Sequence, residues 1–428
     1  MLYKNNEMVH YETIFGLETT QLKFGCNSLN ELGWELKKYN CKNVLLVVDP
    51  VLHNYDVTKK IISQIKSVGA KEIIYDNISV EPTLQSFESA SDFAKENFFD
   101  LIIAAGGGST IDTAKVTNLI KVCNGKVMDY VNPPIGKGKQ PTSKLLPLIA
   151  IPTTSGSGSE ATSVAVLDIP ELKLKTGISH NFLRPSLALV DPELSKTTPS
   201  GVTASSGLDV ICHAIESYIS KPYNLRSKPR SPDERPPYQG SNPVSDIWSM
   251  KAIDFGGKFL SRAVNNKEDV EARGNMMLGA TLAGIGFGTA GVHIPHACAY
   301  PIAGLKHSYQ AKGYHDCFVP HGISVIVTAP AVFRFTYDVD PEKHIKAAEL
   351  LKGRVIKNPN SESLPNELIN LMKEVGMPSG IKELGYEESD ISEIIKGAMK
   401  QQRLLSIAPK DVNEKDLNQI LFQSIENW

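Results

Sequence analysis

The sequence lacks the features of several protein classes. It has only six cysteines in 428 residues. They form no CxxC motif and no paired spacing, so we expect neither a disulfide framework nor a cysteine-rich zinc site. The formal net charge of −2 gives no electrostatic reason to expect nucleic acid or an anionic membrane as a partner. No apolar run reaches the roughly 18 residues that a membrane-spanning helix needs.

The N-terminal residues also lack the signs of a targeting segment. The first forty residues contain no Arg and include no apolar core of the secretory type. We therefore expect a cytoplasmic location by default. A chain of 428 residues is too long for one compact core, so we expect two domains.

The pattern of the sequence changes near residue 199. Before it, short apolar runs (43–50, 71–77, 100–105 and 146–152) alternate with helical stretches, which predicts a parallel sheet with helices on both faces. After it, the apolar residues have helical periodicity. We therefore predict an α/β domain over 1–198 and an all-helical domain over 199–428, with a Pro-rich insertion at 221–243.

Small and polar residues follow three of the predicted strands. The turn Gly106–Gly107–Gly108–Ser109 opens a helix, so its backbone N–H groups can bind an anion, although a tight turn capped by Ser109 or Thr110 is the alternative. A second turn, PTTSGSGSEAT, spans 152–162. Asp49 ends a third strand, where a carboxylate can accept the ribose hydroxyls of NAD and repel the 2′-phosphate of NADP, or can simply be a turn residue. Together the three features predict a dinucleotide at the carboxyl edge of the sheet.

An acid and several histidines lie in apolar surroundings in the second half. Asp209 and His213 are four residues apart, which puts both on one face of a helix. His293, His296 and His321 lie in other apolar stretches. The pair alone is compatible with a capped acid beside a core histidine. The larger set needs a reason to be desolvated, and a divalent cation such as Fe²⁺ or Zn²⁺ supplies one.

These motifs resemble the iron-containing alcohol dehydrogenases. The matching pieces are GGGSTIDTAK, PTTSGSGSEAT, LVDPEL, SGLDVICHAIESY, HACAYPIAG and VPHG, in that order. The resemblance implies a dinucleotide-binding α/β domain and a helical metal-binding domain, an architecture shared with dehydroquinate synthase, with metal and nicotinamide in the cleft between them. Within the family, KPYNLRS (221–227) and RPPYQGSNPVSDIW (235–248) are most similar to the hydroxyacid–oxoacid transhydrogenase branch.

The resemblance also implies roles for individual residues. It makes Asp209, His213, His296 and His321 the metal ligands and His293 and Tyr300 the catalytic candidates. Tyr300 stands where most members carry a further His, and Glu81 stands where an Asn is often found; both departures are similar to the transhydrogenase branch. The implied NAD contacts are Asp49, Gly106, Gly107, Gly108, Ser109, Thr153, Thr154, Ser157, Thr162 and Lys175.

The insertion supplies cations for a substrate carboxylate. Arg226 and Arg235 lie in the parts that resemble the transhydrogenase branch. Because Arg can hold a carboxylate through two parallel hydrogen bonds, we predict that one or both bind the acid end of the substrate. The alternative is a solvated basic loop.

The implied activity is metal-dependent hydride transfer, through bound NAD, between a hydroxyacid such as 4-hydroxybutyrate and an oxoacid such as 2-oxoglutarate. An NAD-dependent dehydrogenase of short primary alcohols or aldehydes would use the same site residues. A sugar-phosphate cyclase, whose usual metal set is a Glu and two His, fits less well, and a sensor protein without enzymatic activity is a fourth reading. We expect small-molecule partners, no nucleic acid or membrane, and leave a homodimer open.

Overall fold

The computed structural model describes residues 10–172 and 174–428, together with two short strands at 3–4 and 7–8. Residues 1–2, 5–6 and 9, part of the stretch on which the expected location rests, lie outside the described residues. The strands are β1 (Tyr3–Lys4), β2 (Glu7–Met8), β3 (Gln21–Phe24), β4 (Asn43–Val48), β5 (Lys71–Tyr75), β6 (Leu101–Gly106), β7 (Leu148–Pro152), β8 (Val164–Ile169), β9 (Leu174–Ser179) and β10 (Leu187–Val190).

Sixteen α-helices occur in the described residues. Those of the first half are α1 (Leu32–Tyr39), α2 (Asp56–Ser67), α3 (Leu84–Glu96), α4 (Gly108–Cys123) and α5 (Val127–Tyr130). Those of the second half are α6 (Ser200–Ile219), α7 (Pro243–Asn265), α8 (Val270–Ala290), α9 (Ile294–Leu305), α10 (His321–Ile326), α11 (Ala329–Thr336), α12 (Pro341–Lys352), α13 (Ser363–Glu374), α14 (Ile391–Met399), α15 (Gln402–Leu405) and α16 (Glu414–Gln423).

The predicted parallel sheet is confirmed. Six strands pair in the order β3-β10-β7-β6-β4-β5, and every pair is parallel. Helices α1 and α2 pack on one face, where Leu46 and Ile103 lie in their core, and α3 and α4 pack on the other, with Val47 and Ala104. Because both faces are covered, the central strands are continuous apolar runs. This arrangement brings the carboxyl ends of β4, β6 and β7 to one edge.

A buried hairpin was not predicted from the sequence. Strands β8 and β9 form a separate antiparallel pair beside the main sheet, with Asp168 opposite Lys175. Nearly all of their residues are buried, so they do not show the alternation of polar and apolar residues by which a half-exposed strand is recognised. The hairpin matters for the site because it carries Lys175 into the interior.

The second half is helical, as predicted. The last strand ends at Val190 and α6 begins at Ser200. Helix α6 is buried along almost its whole length and packs against α7, α8 and α10. No single described helix is long and apolar enough to cross a membrane. Helices α8 and α9 have the length and composition only when taken together, and the chain bends by 106° between them. Both helices are buried in the fold.

The insertion contains no α-helix or strand over 221–242, before α7 begins at Pro243, and it is attached to residues 10–12. The backbone N–H of Glu12 donates to the carbonyl of Arg226 at 2.8 Å, and that of Lys228 donates to the carbonyl of His10 at 2.8 Å. These bonds give the loop a fixed path between α6 and α7.

Candidate metal centre and cofactor cleft

One cavity of about 450 Å³ lies between the two halves of the chain. On one side it is lined by the turns that follow β4, β6 and β7. On the other side it is lined by helices α6, α9 and α10. A ligand in this cavity therefore contacts both halves, at the edge where open parallel sheets bind ligands.

Four side chains from three helices converge in this cavity. Oδ1 of Asp209 lies 3.7 Å from Nε2 of His213, 3.6 Å from Nε2 of His296 and 3.9 Å from Nε2 of His321. These distances are too long for hydrogen bonds. The four atoms nevertheless lie within 4.8 Å of one another, as the ligands of one ion do. The set predicted from the sequence is thus brought together.

Local structure explains this convergence. Asp209 and His213 are one turn apart on α6, while His296 lies in the first turn of α9 and His321 begins α10. The ring of His213 stacks between Phe287, with ring centroids 4.1 Å apart, and His296, at 4.6 Å. The packing holds each imidazole in a single orientation.

The residues fit a divalent cation. Oδ1 of Asp209 and Nε2 of His296 are buried and have no hydrogen-bond partner, and such orphaned atoms are costly unless something binds them. Burial would raise the pKa of the Asp209 carboxyl, but the surrounding imidazoles hold it well below its usual range. Burial lowers the pKa of His213 to about 3, so its ring is neutral and one of its nitrogens has a lone pair for an ion.

A buried carboxylate supports the ligands from behind. Glu216, one turn beyond His213 on α6, places Oε1 2.6 Å from Nδ1 of His296 and accepts the backbone N–H of His293 at 2.7 Å. Burial would lower the pKa of His296, but Glu216 and Asp209 raise it to about 9. A carboxylate on the far nitrogen of a metal-binding histidine is a common supporting contact. This role of Glu216 was not predicted from the sequence, although an acid on the apolar face of this helix was a signal.

The cofactor half of the cavity contains nine of the ten predicted NAD contacts. Helix α4 begins at Gly108, with Gly107 at its N-cap, so neither Ser109 nor Thr110 caps the helix as the alternative required. Instead, Oγ of Ser109 accepts the backbone N–H of Glu81 at 3.2 Å. The residues that line the cavity are Asp49, Gly107, Gly108, Ser109, Thr153, Thr154, Ser157, Thr162 and Lys175.

Two glycines of this turn have different reasons to be glycine. A Cβ on Gly108 would come within 2.8 Å of both side-chain atoms of Ser157 in the neighbouring turn. Gly106 is the predicted contact that does not line the cavity. A Cβ there would lie 2.3 Å from Oγ1 of Thr110, so Gly106 allows the strand to pack against α4.

The position of Asp49 is compatible with both roles that the sequence left open, a turn residue and a contact to the ribose of NAD. Its carboxylate accepts the backbone N–H of Val51 at 2.9 Å, which caps the short turn at Pro50–Leu52. The same side chain lines the cavity. Burial raises the pKa of Asp49.

Lys175 lies close to the metal ligands. Its ammonium pairs with Glu81, whose other oxygen accepts the backbone N–H of His321 at 3.3 Å. Glu81 has a left-handed backbone, with φ of 55°, which non-glycine residues seldom adopt. The pair connects the turn before α3 to the first residue of α10. A contact between Lys175 and the cofactor stays a prediction.

The two catalytic candidates are placed differently. Tyr300 lines the cavity, and its ring centroid lies 6.1 Å from that of His321. His293 is fully buried and does not line the cavity; its ring lies behind Glu216, with Nδ1 4.0 Å from Oε2. His293 therefore has no path to a substrate in this structure.

The structure does not bring Arg226 and Arg235 to the cavity. Nε of Arg235 donates to Glu12 at 3.0 Å, and Nη1 of Arg226 donates to the carbonyl of Tyr238. A guanidinium paired with Glu12 is not free for a substrate carboxylate. The predicted substrate contacts find no support in this placement, because the part of the loop that carries these two arginines bonds to residues 10–12 and to the loop itself, outside the cavity.

A second buried network also escaped prediction. Nζ of Lys115 on α4 donates to Ser159 at 2.7 Å, to Thr162 at 3.1 Å and to the carbonyl of Val164 at 2.7 Å. It therefore ties α4 to the polar turn and to β8. Its sequence signal was the K of GGGSTIDTAK. Lys115 also pairs with Asp112 of the same motif at 3.3 Å, but the three partners above lie more than forty residues away.

Known proteins match almost the whole chain. Residues 19–192 match the family described as iron-containing alcohol dehydrogenase, and residues 238–425 match the C-terminal domain of the Fe-containing alcohol dehydrogenase family. The chain is 43% identical over 419 residues to a mitochondrial hydroxyacid-oxoacid transhydrogenase of Bos taurus, which covers 96% of this chain and 90% of that protein. The chain belongs to the iron-containing alcohol dehydrogenase family. It is an oxidoreductase of that family, and the resemblance seen in the sequence is confirmed.

Two further relatives agree with this family assignment. The human protein named hydroxyacid-oxoacid transhydrogenase, mitochondrial, is 43% identical over 94% of this chain and 88% of its own length. A crystal structure of 1,3-propanediol oxidoreductase, 26% identical, superposes with a TM-score of 0.83 over 96% of this chain and 100% of that one. The iron-containing alcohol dehydrogenase fold expected from the sequence is thereby confirmed.

Proposed function

We propose that the protein transfers hydride between a hydroxyacid and an oxoacid, with 4-hydroxybutyrate and 2-oxoglutarate as the pair to test. The observation that carries the proposal is the joining of two sites in one cavity, because the Asp209 cluster and the turn at 107–109 both line it. The names of the relatives at 43% identity support the choice of acids as substrates.

Separate sets of residues would bind the metal and the cofactor. Asp209, His213, His296 and His321 would hold Fe²⁺ or Zn²⁺, and the nine cavity residues of the cofactor half would hold NAD. When bound, the cation supplies a Lewis acid at the substrate oxygen, and the nicotinamide accepts and returns the hydride.

The remaining contributions are positioning and exclusion of water. The N-terminus of α4, which begins at Gly108, would offer the backbone N–H groups of Gly108 and Ser109 to the pyrophosphate of NAD. Apolar side chains, Phe287 and Val292 among them, border the metal ligands and keep competing water out. We propose the same cavity for both acids in turn, with the cofactor retained between them.

The test uses purified protein without added nicotinamide. It is incubated with 4-hydroxybutyrate and 2-oxoglutarate, and formation of 2-hydroxyglutarate is followed. Nicotinamide released on denaturation shows whether the cofactor is retained. An Asp209→Ala variant serves as the control. Turnover of butanol with added NAD, and no 2-hydroxyglutarate in its absence, would instead support the plain dehydrogenase.

Two expectations stay predictions alongside this one. The cytoplasmic location inferred from the N-terminal residues is one, and relatives of this chain have "mitochondrial" in their names. The other is a homodimer, which the sequence left undecided. Fractionation of the source cells tests the location, and sedimentation velocity tests the oligomeric state.

A further inference from the structure

A partly exposed arginine with one buried, unpartnered nitrogen lies behind the wall of the cavity. Arg403, on α15, places its guanidinium carbon 4.5 Å from the ring centroid of Tyr238, and it also interacts with the hydroxyl of Tyr300. Its Nη1 atom is buried and has no hydrogen-bond partner. Among the side chains that the structure describes, no carboxylate pairs with it.

A cation with one buried and unpartnered donor is suited to an anion. Burying a charge without a partner costs several kcal/mol, so such groups are normally paired or serve a ligand. Tyr238 and Tyr300 both line the cavity, whereas Arg403 lies behind them. The positive charge is therefore separated from the substrate space by the side chains of the two tyrosines.

The chemistry of these groups fixes the direction of the hydroxyl protons. A guanidinium has donors only, so a tyrosine oxygen that contacts it acts as the acceptor. Each tyrosine must then direct its own O–H elsewhere, and the cavity is the open side. A phenol with its ordinary pKa of about 10 keeps its proton at neutral pH, so each hydroxyl has a proton to donate.

Three separate segments build this arrangement. Tyr300 is on α9, one turn beyond His296, and Arg403 comes from near the C-terminus. Tyr238 belongs to the insertion, where Arg226 binds its carbonyl. The ring of Tyr238 also packs on Gly291, where an added Cβ would lie 2.7 Å from Cδ2. The insertion thus reaches the cavity through Tyr238.

We propose that Tyr238 and Tyr300 bind the carboxylate of the substrate through their hydroxyls, and that Arg403 is the positioning residue whose charge makes this end of the cavity selective for acids. The inference rests on the proposed function, because it assigns the acid end of that substrate. The hydroxyl of the substrate then lies toward His321 and the other ligands, on the far side of Tyr300.

The first test measures binding, which needs no turnover. Butyrate is titrated calorimetrically into protein loaded with metal and NAD. Arg403→Gln should weaken butyrate binding by about 30-fold or more, because a charged partner is lost. Arg403→Lys keeps the charge and should recover most of that affinity. Tyr238→Phe and Tyr300→Phe should each weaken binding less.

The second test measures selectivity. The ratio of kcat/KM for 4-hydroxybutyrate to that for 1-butanol should fall by a similar factor in Arg403→Gln, with metal and NAD contents unchanged. A structural defect would instead lower kcat/KM for both substrates by the same factor. The matched control is Arg334→Gln, an arginine of α11 that pairs with Glu362, and it should leave both readouts unchanged.

The outcomes separate this inference from the proposed function. Butyrate binding that is absent from the unaltered protein, or equal in Arg403→Gln, overturns the carboxylate site. The unaltered protein could form no 2-hydroxyglutarate and yet bind butyrate, with that binding lost in Arg403→Gln. This result would contradict the transhydrogenase reaction and leave the carboxylate site supported. If the unaltered protein forms 2-hydroxyglutarate and Arg403→Gln changes neither butyrate binding nor selectivity, the transhydrogenase reaction is supported and the carboxylate site is contradicted.

Discussion

Oε1 of Glu216 lies 2.6 Å from Nδ1 of His296, on the side of the ring opposite to Asp209. A carboxylate at this distance keeps the proton on Nδ1, so a cation that displaces the other proton would bind the lone pair of Nε2. The other oxygen of Glu216 accepts the backbone N–H of His293. The carboxylate is therefore held at both ends, and it fixes the ring that it supports.

Glu216→Gln should lower metal affinity without removing a ligand. Loss of such supporting contacts typically costs about 10- to 100-fold in metal affinity. Competition with a chromogenic chelator measures the change. Glu271→Gln, an exposed acid on α8 that pairs with Arg262, is the control. Equal affinities in Glu216→Gln and the unaltered protein would show that the contact has no influence on the ion.

Removal of a predicted ligand should empty the site and leave the fold intact. Asp209→Ala and His213→Ala keep a good helix former within α6, so circular dichroism should change little. Metal analysis should show loss of the ion, and turnover should disappear. A chelator should lower the Tm of the loaded protein but not of either variant, because a ligand stabilises only the state that binds it. Full occupancy with full activity in both variants rules out the assignment.

The parts that the sequence could predict are those set by local periodicity. The strands before Asp49 and Gly107 are continuous apolar runs, and the spacing of Asp209 and His213 is one helical turn. The supporting contacts depend on distant partners instead: Glu216 and His296 are 80 positions apart. The hairpin β8–β9 is buried on both sides and shows no alternation. Arg403 joins the site only because α15 packs near α9.

Asp49→Asn should reduce the preference for NAD over NADP. The structure places Asp49 at the end of β4 with its carboxylate at the cavity and capping Val51. Asn keeps the cap and the size of the side chain and removes only the negative charge. Titration with both dinucleotides should show that the ratio of their Kd values moves toward NADP by about tenfold. Tighter binding of NADP by the unaltered protein would contradict the placement of Asp49.

Gly108→Ala should weaken dinucleotide binding because the added methyl group meets Ser157. A Cβ only 2.8 Å from the side chain of Ser157 forces the polar turn away from the start of α4. We expect an increase in the Kd for NAD of about tenfold or more. Ser157→Gly removes the atoms in the way, so the double variant should bind better than Gly108→Ala alone. Two effects that simply add would show that the turns do not approach each other as described.

Arg235→Gln should affect the attachment of the insertion and not the choice of substrate. Arg235 pairs with Glu12 and does not line the cavity, so the ratio of hydroxyacid to alcohol turnover should remain unchanged. The loop should instead become easier for trypsin to cleave after the exposed Arg230, which is followed by Ser231. Glu12→Gln should have the same effect, and the double variant should be no worse than either single one, since all three lose the same ion pair. If Arg235→Gln lowers the ratio as strongly as Arg403→Gln, then the loop arginine contacts the substrate after all, and the sequence-based prediction stands against the placement seen here.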